Sequence, residues 1–293
     1  MRKFFGLIAL AILTFTVAIV FATERPQPIN QLYVFGDSLS DTGVVFRATG
    51  GAYPPNPPYF QGRYSNGRVW VEYLAERLQL PSRRVSNFAC GGATAVSDRK
   101  TLVPGLLTQV QSFVGSQTSL PADALYVLWA GANDYLQGTT DVVAPVESIT
   151  QSINQLANVG AKQILVGNLP DLGQLPSTLN RTQASQLSRL SQAHNQALRR
   201  ALKQMSQQVA DLQIATLDAS TLYRDAIAQP STFGFQNVSG HCLVGVQSCR
   251  NPDQFLFWDG IHPTTAAHRH LGAAAHAALQ ASGIGQPRSA LLP

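Results

Sequence analysis

The chain is sparing with the residues that most often announce a site. Its 293 residues include three cysteines, two methionines and three tryptophans, and only 13% are charged. Neither CxxC nor HExxH occurs, so no local spacing calls for a metal ion. Internal repeats, Ser/Gly linkers and a second composition regime are also missing, which leaves one large domain as the expectation. The formal net charge of +5 is small, and it drops to +3 if an N-terminal segment carrying Arg2 and Lys3 is removed. Such a surplus is ordinary for solubility and gives no reason to expect a nucleic-acid partner.

With 45% hydrophobic residues, the chain can bury a sizeable core. Arg2 and Lys3 precede an apolar run from Phe4 to Ala22, which ends on Val20-Phe21-Ala22 before the polar Thr23-Glu24-Arg25. This is the layout of a signal peptide over residues 1–22, ahead of a single domain over 23–293, and it implies a secreted or periplasmic protein. The run is long for a leader, so an uncleaved N-terminal anchor is the alternative. An oxidising compartment also suits the cysteines. Cys242 and Cys249, seven positions apart in a loop, are a candidate disulfide, and Cys90 is then left unpaired.

Five apolar runs rich in β-branched residues recur: QLYVFGD from 31, RVSNFA from 84, ALYVLWAGAN from 124, KQILVGNLP from 162 and LQIATLDA from 212. Separated by helical patterns, they predict an α/β fold with a parallel sheet covered on both faces. Helices are expected from Val69, with Val69, Tyr73, Leu74 and Leu78 on one stripe, and across Ser177 to Gln208. A last one runs from Thr264 to about Gln280, with Pro263 suited to its first position. Tyr53 to Tyr64 reads as a proline-stiffened loop, and Tyr223 to Phe257 as a long stretch of little periodicity.

Ligands bind open parallel sheets outside the carboxyl ends of the strands. Ser38 follows the first run in FGDSLSDTG, a segment that alone would read as a turn. Other runs end in NFACGGATA, where Gly91 and Gly92 leave backbone N–H groups unobstructed, and in GANDY, which brings Asn133 to the same edge. Late in the chain, FWDGIHPT sets Asp259 and His262 three apart across a glycine turn. Acyl transfer through serine needs these parts: a nucleophile, a base, a carboxylate to orient the base, and donors for the oxyanion.

In order, FGDSLSDTG, NFACGGATA, GANDY and DGIHPT resemble the four blocks of the GDSL, or SGNH, hydrolases, across nearly the whole chain after residue 22. PPYFQGRYSNGRVWVEYLA, LPDLG, HNQAL and FWDGIHPT are similar to the secreted lipase and lecithinase-like branch shared with plant enzymes. The resemblance implies a three-layer α/β/α sandwich on a five-stranded parallel sheet of flavodoxin-like type. It implies an exported serine esterase or lipase acting on small-molecule or lipid esters, at a membrane surface or on a polysaccharide, as a monomer and with no cofactor. It assigns Ser38, Asp259 and His262 to catalysis, and Ser38, Gly92 and Asn133 to the oxyanion hole. A carbohydrate acetylesterase on the same scaffold is the alternative, and a binding protein that has lost the chemistry a further one. Val44 and Cys90 depart from the branch pattern, and the G-x-S-x-G elbow is absent.

The remaining polar residues have plainer roles. Asp37 is expected to bond backbone groups of its own turn, and Asp41 and Asp134 to cap or brace loops. His268 and His270, two apart on a helix, face different ways. His194, His241 and His276 read as surface or satisfied histidines, and Cys90 as a buried, unreactive thiol.

Overall fold

In the computed structural model, residues 28–96, 102–209 and 211–285 are described. The leader read from residues 1–22 lies outside them. Five strands, β1 (Gln31–Gly36), β2 (Val85–Asn87), β3 (Ala124–Trp129), β4 (Gln163–Gly167) and β5 (Gln213–Leu217), form one parallel sheet in the order β2-β1-β3-β4-β5. Each lies within one of the five apolar runs. Leu32 and Val34 of β1 pair with Leu125 and Val127 of β3, a register that keeps aliphatic side chains aligned across the sheet. The strand order reverses between β1 and β3, and the crevice opened by such a switch lies at their carboxyl ends.

Among the described residues eight helices complete the layers: α1 (Val44–Ala48), α2 (Trp70–Arg77), α3 (Leu106–Val114), α4 (Ala132–Leu136), α5 (Val143–Asn158), α6 (Ala184–Gln208), α7 (Ala219–Ala228) and α8 (Thr265–Ala281). Leu32, Val34, Val127, Leu165 and Leu217 face one core with Trp70 and Leu74 of α2 and Leu271 of α8. Phe35, Tyr126, Leu128 and Val166 face the other, with Val110 of α3, Ile153 of α5 and Leu198 of α6. Alternate strand residues thus serve opposite cores, and burial on both faces explains the apolar character of the central strands β1, β3 and β4, while the edge strands β2 and β5 are only partly buried and carry polar residues.

Four expectations shift. The buried face of α2 is Trp70, Val71, Leu74 and Ala75, while Tyr73 and Leu78 are only half-buried. Val69 is the residue before the helix, and Glu72 accepts from its N–H at 2.9 Å. The segment from Ser177 to Gln183 is not helical. Its first N–H donates to Gly260 O at 2.9 Å, so it is drawn towards the FWDGIHPT loop. Pro263 lies outside α8. Thr264 is the cap, its hydroxyl accepting from the Ala267 N–H. The stretch after Tyr223 also carries structure: β6 (Asn237–His241), β7 (Leu243–Val244), β8 (Gln247–Ser248) and β9 (Phe255–Phe257) form two small two-stranded ladders. The sulfurs of Cys242 and Cys249, which flank the β7–β8 hairpin, are 2.06 Å apart.

His194 is fully buried rather than a surface group. Its Nδ1 meets Tyr135 Oη at 2.8 Å, and its Nε2 has no partner among the described residues. Burial lowers its pKa to about 4 and that of His268, fully buried on α8, to about 3. The folded state therefore holds both neutral, whereas the unfolded chain protonates them below their ordinary value near 6.5. Protons then favour unfolding, and stability falls as pH drops from about 6.5 towards 4. His194→Gln removes one titrating group and keeps a polar partner for Tyr135. Its unfolding free energy should change less between pH 7 and pH 5 than that of the wild type, measured by urea denaturation. An equal change would contradict this.

Candidate active site

Ser38 leaves the end of β1 in a turn closed by Asp37, whose carbonyl accepts from Ser40 and Asp41 at 3.1 and 3.0 Å. The Asp37 carboxylate accepts from the Leu39 N–H at 3.0 Å. Its role is in the turn, and burial pushes its pKa up to about 7. Beneath the turn, the Gln109 amide of α3 bonds both the N–H and the carbonyl of Gly36 at 2.9 Å, fixing where the strand stops. The polar turn carries Ser38 Oγ to within 2.9 Å of His262 Nε2, from a residue 224 positions away.

His262 is placed by the local chain. Asp259 Oδ1 accepts from the Ile261 and His262 N–H groups at 2.9 and 2.8 Å, folding Asp-Gly-Ile-His into one tight turn. The other carboxylate oxygen, Oδ2, then reaches His262 Nδ1 at 2.7 Å. With Asp259 ionised, Nδ1 carries the proton and Nε2 accepts from the serine hydroxyl. Burial alone would raise the Asp259 carboxyl. The facing His262, the Ile261 N–H and the Tyr59 hydroxyl outweigh it and hold the carboxyl well below its usual range. Ser38 and His262 are 7% and 8% exposed, so the relay is shielded but open to a substrate.

The other loops are tied to this turn and to one another. Asp41 Oδ1 accepts from Gly43 and Val44, and its Oδ2 from Gly91 at 2.9 Å, so it joins the first block to the second as well as opening α1. The Val44 backbone thus supplies a contact that its side chain cannot. Gly91 spends its N–H on Asp41, and a Cβ there would lie 2.1 Å from Tyr64 Oη. Gly92, at φ +84°, has open space in front of it, and its N–H makes no hydrogen bond among the described residues. Asn133 Nδ2 donates to Ala93 O at 2.9 Å, keeping one hydrogen for the cleft. Asp134, on α4, accepts from Ala95 and Val96 at 2.7 and 3.2 Å and locks the second block to the third.

The cleft at Ser38 is walled by Leu39, Leu136, Pro170, Leu172, Leu175 and Ile261. The cleft itself is small, about 30 Å³. Its residues Asn133, Leu136 and Ile261 also border a hollow of about 430 Å³, where Leu187 and Leu190 of α6 stand beside Thr139, Thr140, Gln183 and Gln186. A second hollow of about 430 Å³, between α6 and α7, is polar. Its buried amides are already committed, Asn195 to the Leu169 backbone and Asn168 to Asp218 and Ser220. Burial, with the nearby charge of Asp41, pushes the Cys90 thiol up to about 11, which fits an inert residue. His268 and His270 go separate ways, to the Trp70 N–H and to Phe233 O. Among the described residues no cluster of His, Cys, Asp or Glu could hold a metal ion.

Two supports escaped the sequence reading: Gln109 and Tyr59, whose hydroxyl donates to Asp259 Oδ2 at 2.7 Å. Both act across long separations that no local spacing reveals. A glutamine inside an otherwise apolar helix face was the one visible sign of the first.

A family model described as "GDSL-like Lipase/Acylhydrolase" matches residues 32–275. Among characterised sequences, the chain is 30% identical to a phosphatidylcholine-sterol acyltransferase of Aeromonas hydrophila, over 92% of this chain and 95% of the other. It is 25% identical to a GDSL esterase/lipase of Arabidopsis thaliana, over 92% and 93%. Among solved structures, an aryl esterase of M. smegmatis superposes with a TM-score of 0.53 at 16% identity, over 86% and 99%, a likeness of fold.

Proposed function

The chain belongs to the GDSL-like lipase/acylhydrolase family and is a carboxylic ester hydrolase, and from that premise we propose that it is an exported serine esterase acting on acyl lipids. The observation that carries the reading is the unbroken relay from Ser38 Oγ through His262 to Asp259, at 2.9 and 2.7 Å. Ser38 attacks the ester carbonyl while His262 Nε2 takes its proton. Asp259 keeps the ring in the right tautomer and stabilises the imidazolium. The developing oxyanion is received by the N–H groups of Ser38 and Gly92 and the free amide hydrogen of Asn133. His262 then protonates the leaving alcohol, and water hydrolyses the acyl-enzyme by the same path.

An acyl chain rather than an acetyl group is favoured by the walls. Leu39, Leu136, Leu172, Leu175 and Ile261 give a reacting ester an apolar surround, and the adjoining hollow is large enough for several methylenes. Export rests on the basic, then apolar, then small-residue layout of residues 1–22. Among the described residues no helix is long and apolar enough to cross a membrane.

Ser38→Ala should lower turnover of a p-nitrophenyl ester on the order of 10⁵–10⁶-fold while the thermal midpoint stays close to the wild type. Wild-type turnover in that variant would end the assignment. A series of p-nitrophenyl esters from acetate upward, run beside acetylated xylan, should give kcat/KM that rises with chain length. Activity confined to acetyl esters would make the protein a carbohydrate acetylesterase instead.

A further inference from the structure

Tyr59 stands 200 positions before Asp259, in the proline-rich loop between α1 and α2, and its hydroxyl donates to Asp259 Oδ2 at 2.7 Å. The same oxygen takes the His262 Nδ1 proton at 2.7 Å. The tyrosine is held in place. Its ring meets Trp258 edge-on and Tyr64 edge-on, each with centroids 6.4 Å apart, and its N–H donates to Pro55 O at 3.0 Å. Trp258 is buried beside Cys242 and Leu243, its carbonyl accepts from Leu243 at 2.7 Å, and its N–H donates to His262 O at 2.8 Å. The proline loop, the cysteine hairpin and the histidine turn thus share one wall.

We propose that Tyr59 is a positioning residue for the reaction, fixing Asp259 Oδ2 where His262 needs it and taking part of the charge that this oxygen offers to the imidazole. The inference rests on the triad reading above. A donor to the ionised form stabilises the carboxylate and makes it less basic. Asp259 therefore stabilises the imidazolium less than an unshared carboxylate would, and His262 releases its proton to the leaving alcohol more readily. Burial, and then the charge of Asp259, push the phenol far above its ordinary value, so Tyr59 remains a donor throughout. The other titratable groups facing this pair are Asp37 in the serine turn, His268 on α8, and Tyr53 and Tyr64 of the same loop.

Tyr59→Phe removes the hydroxyl and keeps the ring against Trp258 and Tyr64. With a p-nitrophenyl ester, kcat should fall roughly tenfold, as expected for losing a hydrogen bond to a charged group, with KM little changed. The acid limb of kcat/KM should move to higher pH, because the released Oδ2 holds the imidazolium more firmly. Incorporating 3-fluorotyrosine at position 59, a stronger donor, should move the limb the other way. A tyrosine that only packs would lower the thermal midpoint and leave the limb in place. A wild-type limb in Tyr59→Phe, whatever its kcat, overturns the proposal, as does a limb displaced the same way in both variants. Ser38→Ala measured alongside keeps the two readings apart, since turnover surviving there removes the triad itself.

Discussion

The Asp259 carboxylate is the constraint on which the site depends. It is largely buried, and an ionised carboxylate taken from water costs several kcal/mol unless its oxygens are well served. Four donors serve it: two backbone N–H groups of its own turn, the His262 ring and the Tyr59 hydroxyl. Hydrogen bonds to charged groups contribute about 1.5–3 kcal/mol each, so together they offset the burial. The same bonds dictate geometry. The two backbone donors make the turn, the turn aims the imidazole, and the imidazole meets Ser38.

The opposite half of the cleft follows a similar logic with different residues. Asp41 and Asp134 are buried carboxylates: Asp41 divides its oxygens between the N–H groups of its own turn and that of Gly91 in the glycine loop after β2, and Asp134 takes the Ala95 and Val96 N–H groups of that loop. Burial raises the pKa of both, and those backbone donors oppose it. Asn87 adds a further tie, donating to Ser40 O at 2.7 Å. The three loops that present Ser38, Gly92 and Asn133 are thereby braced against one another rather than each resting on its own strand. Such bracing is what the proposed oxyanion site requires, because its donors must be aimed before charge develops.

Much of this was legible in the sequence because the informative residues act locally. A parallel sheet buried on both faces forces apolar runs in its central strands, so these declare themselves, and the candidate site residues then fall at the strand ends. Asp259 and His262 are close enough in sequence for one turn to bring them together. What escaped depended on long separations or on a single capping choice. Tyr59 and Gln109 reach their partners across 200 and 73 residues. Pro263 had the right chemistry for a first helical position, yet the Thr264 hydroxyl could cap the helix and took the boundary one residue on. The leucine pattern of α6 extends back to Ser177, but the Ser177 N–H is drawn to Gly260 and the residues after it close short turns, such as Thr178 on Leu175 and Arg181 on Thr178, before the helix begins. For His194 the sequence leaves a surface or a satisfied histidine open, and the packing of α4 on α6 decides it: the ring is buried with Nδ1 on Tyr135.

The proposed chemistry requires Ser38 to be activated by a histidine 224 residues away. Covalent labelling with a fluorophosphonate, followed by peptide mass analysis, reads this directly, because an unactivated serine does not react. The predicted result is a single adduct on the peptide containing Ser38, formed rapidly in the wild type and far more slowly in His262→Ala. An adduct on another residue, or equal labelling of the two proteins, would contradict it.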